Sequence, residues 1–329
     1  MERELALEFV RVTEAAAIQA GRLMGRGDKN GADKLAVDAM RAMLDTVDIR
    51  GRVVIGEGEM DEAPMLYIGE EIGDGQGDRV DIAVDPLEGT NLVAKGLPGA
   101  IAVMAVAPQG CLLHAPDMYM QKIVTGPQGR GVISLDAPIE ENLQQLAERL
   151  EKPVSDLTAV ILDRPRHQEL IERIRQIGGR IRLITDGDVS PAVAACVPDS
   201  GIDLVVGSGG APEGVIAAAA VKCLGGEMQA RLLPEDEAQE ERVRAMGLSD
   251  PRQLLTLDDL VRGDDVLYVA TAITDTDLLD GVHYGPRYCS THSVVMRSKT
   301  GTVRFVRADH QLNRKWPQGR PVTQLRRKN

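Results

Sequence analysis

Apolar residues recur at three- and four-residue spacing through Leu5, Phe9, Val12, Ala16, Ala20 and Leu23, which predicts a helix over residues 2–24. A glycine-bearing stretch, residues 25–31, breaks it. Asp33 opens a second helical pattern with Leu35, Ala39, Met40, Met43 and Val47 on one face, and Gly51 closes it. The period then shortens. Val53-Val54-Ile55 reads as a strand running into Gly56-Glu57-Gly58, and residues 80–84 read as another running into Asp85-Pro86. Each strand delivers a carboxylate beside a turn residue. Residues 100–107 form a further apolar strand, turned by Pro108-Gln109-Gly110.

Around Pro138 the pattern changes to strand–helix alternation. A charged helix (140–150) precedes strand 160–162, helix 167–177, strand 180–184, helix 190–196, strand 202–206 and helix 212–224. Alternation at these lengths predicts βαβ units and a largely parallel sheet, so the fold class is α/β. Strands near Leu267, Val294 and Val303 read as late additions to this second sheet. A chain of 329 residues exceeds what one core usually serves, and the boundary falls near residue 137: an α+β domain over 1–137 and an α/β domain over 138–329.

Composition removes several classes. Hydrophobic content of 43% with 27% charged residues is ordinary for a folded chain. Only 2% of residues are aromatic and the formal charge is -12, so neither the cationic field nor the stacking platforms of nucleic-acid binding are present. Residues 304–329 hold eight Lys and Arg against Asp309 alone, and read as a solvated basic tail. The charged N-terminus Met1-Glu2-Arg3-Glu4 is unlike a secretory signal, and no apolar run approaches the roughly 18 residues of a membrane span. Cys111, Cys196, Cys223 and Cys289 are widely spaced, as expected of reduced thiols in a cytoplasmic protein.

The segment richest in chemistry is Asp85-Pro86-Leu87-Glu88-Gly89-Thr90. A strand ending in Asp85, a proline forcing a turn, and a second carboxylate three residues on bring two oxygen ligands together, with a hydroxyl just beyond. Oxygen donors of this kind suit Mg²⁺ or Mn²⁺.

This hexapeptide resembles the Asp-Pro-aliphatic-Asp-Gly-Thr signature of the metal-dependent, lithium-sensitive sugar phosphatases, with Glu88 in place of the second Asp. Val54-Ile55-Gly56-Glu57-Gly58-Glu59, Asp61-Glu62-Ala63-Pro64-Met65-Leu66-Tyr67-Ile68-Gly69 and Gly207-Ser208-Gly209-Gly210-Ala211-Pro212-Glu213-Gly214 are similar to class II fructose-1,6-bisphosphatase. Ala115-Pro116-Asp117-Met118-Tyr119-Met120 and Thr185-Asp186-Gly187-Asp188-Val189 follow the same pattern.

The resemblance implies a layered αβαβα fold with the active site at the domain interface, and hydrolysis of the 1-phosphate of fructose 1,6-bisphosphate in gluconeogenesis or carbon fixation. It implies two or more Mg²⁺ or Mn²⁺ ions held by Asp33, Glu57, Asp85, Glu88 and Glu213. Asp33 and Glu213 also read as carboxylates stabilised at helix N-termini. Thr90 is the expected residue beside the nucleophilic water, with Asp33 and Glu57 sharing the role of base; it also reads as a cap for a helix begun by Asn91. Substrate contacts fall on Glu88, Gly89, Thr90, Tyr119, Gly210, the Arg164-Pro165-Arg166 phosphate clamp, and Asp186-Gly187-Asp188 facing sugar hydroxyls. Lys29 and Asp61 stand as supporting members. A homo-dimer or tetramer is implied too.

Sedoheptulose 1,7-bisphosphate is an alternative substrate, and a non-catalytic sugar-phosphate sensor a remoter alternative. Walker and dinucleotide fingerprints are absent, since Pro212 stands where the last glycine belongs, and the histidines at 114, 167, 283, 292 and 310 are scattered.

Overall fold

A computed structural model describes residues 1, 2, 4–58 and 65–315. The chain divides into two compact units: residues 1–111 with the chain from Asp265 onward, and Leu112–Asp264. The division therefore lies after Cys111 rather than near residue 137, and the first unit is built from two separate stretches of chain.

The first unit opens with α1 (Leu5–Ala20) and α2 (Lys29–Leu44). The predicted stripe on α1 is buried, but so are Thr13, Glu14 and Gln19, because the helix is covered nearly all round. The buried hydroxyls find partners: Thr13 lies 2.8 Å from Thr271, and Thr291 donates to Glu14 at 3.1 Å. α2 begins at Lys29, not at Asp33; Asp28 is its N-cap, accepting the Gly31 N–H at 2.9 Å. Gly51 does not end this helix. It lies inside β1 (Ile49–Ile55), where a side chain would press on Ile82, Ile49 and Ile72.

The remaining elements of this stretch are β2 (Glu71–Ile72), β3 (Asp78–Glu88), α3 (Thr90–Lys95) and β4 (Ile101–Pro108). β4 is apolar and buried along almost its whole length, as a strand covered on both faces must be.

The second unit comprises β5 (Tyr119–Thr125), α4 (Ile139–Leu150), β6 (Thr158–Leu162), α5 (Gln168–Gln176), β7 (Arg180–Ile184), α6 (Val189–Ala195), β8 (Leu204–Gly210), α7 (Ala211–Leu224), β9 (Glu227–Leu233), α8 (Glu237–Ala245), β10 (Leu255–Thr256) and α9 (Leu257–Leu260). Its sheet runs β10-β9-β5-β8-β6-β7. Only β8-β6-β7 is parallel; β5 pairs antiparallel with β8 and β9, so the sheet is mixed rather than largely parallel. β5 was hidden inside a motif without clear alternation. Leu143, Leu146, Ile171 and Ile174 of α4 and α5 bury against Ile161 and Leu204 in one apolar cluster, and truncating such a leucine to alanine typically costs about 2–5 kcal/mol.

The chain then returns to the first unit as β11 (Leu267–Ala272), β12 (His283–Tyr284), β13 (Tyr288–Arg297) and β14 (Thr302–Gln311). These strands do not extend the second sheet. β11 inserts between β4 and β13, giving the order β12-β13-β11-β4-β3-β1-β2, with β14 on the far edge of β13. The basic stretch from Arg304 thus begins as an edge strand, with Arg307 donating to Asp280 at 2.6 Å, and not as a solvated tail; residues 316–329 lie outside the described residues. The four cysteines are thiols outside any disulfide, and Cys196, Cys223 and Cys289 are buried. Among the described residues no helix is long and apolar enough to cross a membrane.

Candidate functional site

In the first unit, strand register assembles the carboxylates. β1 and β3 are parallel neighbours with Ile55 opposite Ala83, so Glu57 and Asp85, each two residues further on, leave the sheet at the same end. Pro86 does not force the predicted turn. Asp85 pairs with Val103 and Glu88 with Ile101, so β3 holds one residue more than β4 over this step: a β-bulge. The bulge brings Asp85 and Glu88 carboxylate oxygens within 4.8 Å of one another, while the Leu87 N–H bonds back to Asp85 at 3.0 Å.

Gly89 follows at φ 90°, a left-handed conformation that glycine adopts at little cost, and it caps α3. Thr90 is therefore the first residue of that helix rather than the cap of one begun by Asn91. Asp33 lies one turn inside α2, so the helix N-terminus does not account for it.

The charge balance here is unfavourable without a cation. Burial, then the negative charges of Asp85 and Asp33, push the Glu57 carboxyl up to about 8. Burial also raises Asp33. The Glu57 loop is held from behind: its N–H donates to Leu66 O at 3.0 Å, the Leu66 N–H bonds Glu70, and Arg41 ties Glu70 at 2.6 Å and Asp45 in turn. Arg41, Glu70 and Leu66 escaped the sequence reading because their roles depend on this fold-back. Lys29 is the exposed first residue of α2, and Asp61 lies outside the described residues.

In the second unit several polar groups come already partnered. Arg166 donates from Nε to Ser208 Oγ at 2.9 Å and from Nη2 to Ser208 O at 2.8 Å, with its guanidinium 4.6 Å from the centre of the exposed Tyr119 ring. Arg164 donates to Asp163 O and Thr185 O. Pro165 begins the short turn between them. Buried His167 accepts the Ser208 N–H on Nε2 at 2.8 Å, so its proton sits on Nδ1, which donates to Leu162 O at 2.7 Å. Burial, aided by the nearby arginines, lowers its pKa and keeps it neutral.

Asp186, Gly187 and Asp188 follow β7, and Asp188 is buried against Lys122 at 2.7 Å. Lys122 and His167 had no sequence signal, and Ser208 lay inside the glycine-rich motif without a role of its own; the pairing of β5 with β8 and the turn after β6 bring them together.

The glycine-rich stretch before Glu213 is not a loop but the end of β8, with Tyr119 opposite Gly210 and Met120 opposite Gly209. A side chain on Gly209 would strike Asp188 at 2.3 Å, and one on Gly210 would strike Glu213 Oε2 at 1.8 Å. Gly210 has an ordinary φ of -63°, so it is needed for space and not for conformational freedom. Glu213, third residue of α7, has Oε2 buried without a hydrogen-bond partner, and burial raises its pKa against the opposing effect of Lys122.

Comparison with known proteins agrees with these motifs. The family model described as bacterial fructose-1,6-bisphosphatase, glpX-encoded, matches residues 3–310. Fructose-1,6-bisphosphatase 1 class 2 of Escherichia coli strain K12 is 47% identical over 331 residues, covering 97% of this chain and 98% of its own. Fructose-1,6-bisphosphatase class 2 of Haemophilus influenzae is 46% identical over 326 residues, covering 95% and 98%. A solved extragenic suppressor from Pyrococcus furiosus is similar over 58% of this chain and 70% of its own at a TM-score of 0.30 and 14% identity, too little to bear on the fold. A match spanning nearly the whole chain on both counts places this protein in the GlpX family of class 2 fructose-1,6-bisphosphatases.

Proposed function

We propose that this chain hydrolyses the 1-phosphate of fructose 1,6-bisphosphate, releasing fructose 6-phosphate and inorganic phosphate, with divalent metal held by Asp33, Glu57, Asp85, Glu88 and Glu213. The observation that carries the reading is the β3 bulge, which gathers Asp85 and Glu88 and is followed at once by the Thr90 hydroxyl. The donor set fits a hard cation: every proposed ligand offers carboxylate oxygen, Glu57 is buried among like charges, and Glu213 Oε2 is an orphaned buried acceptor. The ions are Mg²⁺ or Mn²⁺, two or more per site. When bound, they supply Lewis-acid polarisation of the phosphoryl group and screening of its charge.

The chain's own residues do the rest. Thr90 accepts a hydrogen bond from the attacking water and donates its own proton to Asp33, aligning the water for in-line displacement. Asp33 and Glu57 take up the water's proton as the new P–O bond forms, and as the bond to the C1 oxygen breaks the departing alkoxide takes a proton from solvent water, giving fructose 6-phosphate and phosphate. Arg164 and Arg166 grip the remaining phosphate, Tyr119 lies against the sugar, and Asp186 and Asp188 accept hydrogen bonds from its hydroxyls. The assembly is a cytoplasmic homo-dimer or tetramer.

The test is phosphate release from fructose 1,6- and sedoheptulose 1,7-bisphosphate with Mg²⁺, with Mn²⁺ and after chelation. We expect release to require metal and kcat/KM to favour the fructose substrate. Undiminished release after chelation would overturn the metal role, and no release from either sugar would overturn the reaction.

A further inference from the structure

Lys122 is the lysine that lies fully buried among the described residues, and the proposed reaction does not use it. It sits on β5, 3% exposed, with Nζ 2.7 Å from Asp188 Oδ2 but poorly aligned for a hydrogen bond. A buried ammonium is costly to keep unless a buried opposite charge faces it. Here two carboxylates face it, Asp188 at contact distance and Glu213 near enough for its charge to be felt. Gly209 leaves the room: a side chain there would lie 2.3 Å from Asp188 Oδ2 and 3.3 Å from Lys122 Nζ. Asp188 takes the ammonium on Oδ2, and its other carboxylate oxygen makes no hydrogen bond within the described residues.

We infer that Lys122 is a positioning residue, which fixes the Asp188 carboxylate with one oxygen turned to the sugar and keeps the Asp188–Glu213 neighbourhood from carrying two uncompensated negative charges. This rests on the reading above, in which Asp188 meets sugar hydroxyls and Glu213 is a metal ligand. The two roles pull in opposite directions. The ammonium orders a substrate contact, and as a cation near Glu213 it also repels the metal. Removing its charge while keeping its length should weaken substrate binding yet strengthen metal binding. A lysine that merely holds the unit together would not divide the effects this way, because loosened packing weakens both.

The experiment uses Lys122→Met, Asp188→Asn and the double variant, each checked for a cooperative melt. Mn²⁺ binding is measured by calorimetry without substrate, and KM and kcat on fructose 1,6-bisphosphate with saturating Mn²⁺. Lys122→Met is expected to raise KM about 10-fold or more with a smaller change in kcat, and to tighten Mn²⁺ about 3-fold. Since Lys122 acts on the substrate through Asp188, the double variant should fall within about 3-fold of the worse single variant in kcat/KM. Losses that multiply, an unchanged KM, or weakened Mn²⁺ binding would each overturn the inference. If Lys122→Met fails to fold, the double variant, which removes the buried charges together, still answers: its Mn²⁺ affinity must exceed that of Asp188→Asn. Whether the wild-type chain releases phosphate at all is settled before any variant is made, so failure of the reaction reading and failure of the Lys122 inference are distinct results.

Discussion

In the first unit Glu57 is buried beside Asp85 and Asp33, and every charge acting on it is negative. In the second unit Asp188 is matched by Lys122, Arg166 is spent on Ser208 and Tyr119, and neutral His167 holds Ser208 from behind. One region gathers like charges that a bound proton or an added cation can relieve. The other pairs most of its charges from within, Glu213 excepted. A group that takes part in bond making must be able to change its charge or its partner, whereas a group that recognises must not move. The contrast supports the proposal that bond making centres on the first unit's carboxylates and that the second unit's arginines and Asp188 serve recognition, with Glu213 the one carboxylate of the second unit proposed to join the metal.

The largest effect should come from Thr90. Thr90→Ala removes the hydroxyl proposed to orient the water, and steady-state kinetics should show kcat lower by roughly 10²- to 10³-fold with KM changed only a few-fold. A near-wild-type kcat would take Thr90 out of the chemistry and weaken the contrast at its strongest point.

A smaller change is expected from Arg166→Lys. Lysine cannot reproduce the two bonds to Ser208 while stacking on Tyr119, so KM should rise about 10-fold with kcat nearly preserved. A loss of kcat as large as that of Thr90→Ala would show that the second unit does more than recognise.

The smallest effect concerns metal-free protein. Glu57 has its ordinary value of 4.5 unfolded and about 8 folded, so between these values the folded state holds more protons. Stability must then fall as pH rises through that window, with Asp33, also raised, contributing in the same direction. Calorimetric scans in chelator should show Tm falling by about a few degrees between pH 5 and 8, and Glu57→Gln should flatten the slope. A slope unchanged in that variant would mean that the repulsion lies elsewhere.

How much of this could be read from the chain depends on how local each signal was. The hexapeptide at Asp85 carried its chemistry in consecutive residues, although the device proved to be a bulge inside a strand rather than a turn after one. The start of α2 was legible in Asp28 and was misplaced because Asp33 offered a second carboxylate near the same helical pattern. Lys122 and His167 were not legible: an isolated lysine on an apolar strand looks like an edge residue until its neighbour is known. The pairing of β11 with β4 is a contact between distant segments, and nothing in either segment's own pattern names its partner.

That pairing has a consequence during synthesis. β4 leaves the ribosome with one edge open, and the strand that covers it, β11, follows only after the whole second unit has been made. At about 5–20 residues per second, the roughly 160 intervening residues take about 10–30 s. For that interval the nascent chain displays an apolar strand with no neighbour on one side, which is the kind of surface that recruits chaperones or another unfinished chain. The second unit, continuous in sequence, can fold while the first is still waiting. The strand order thus leaves synthesis with an interval in which an unfinished sheet must be kept from meeting another.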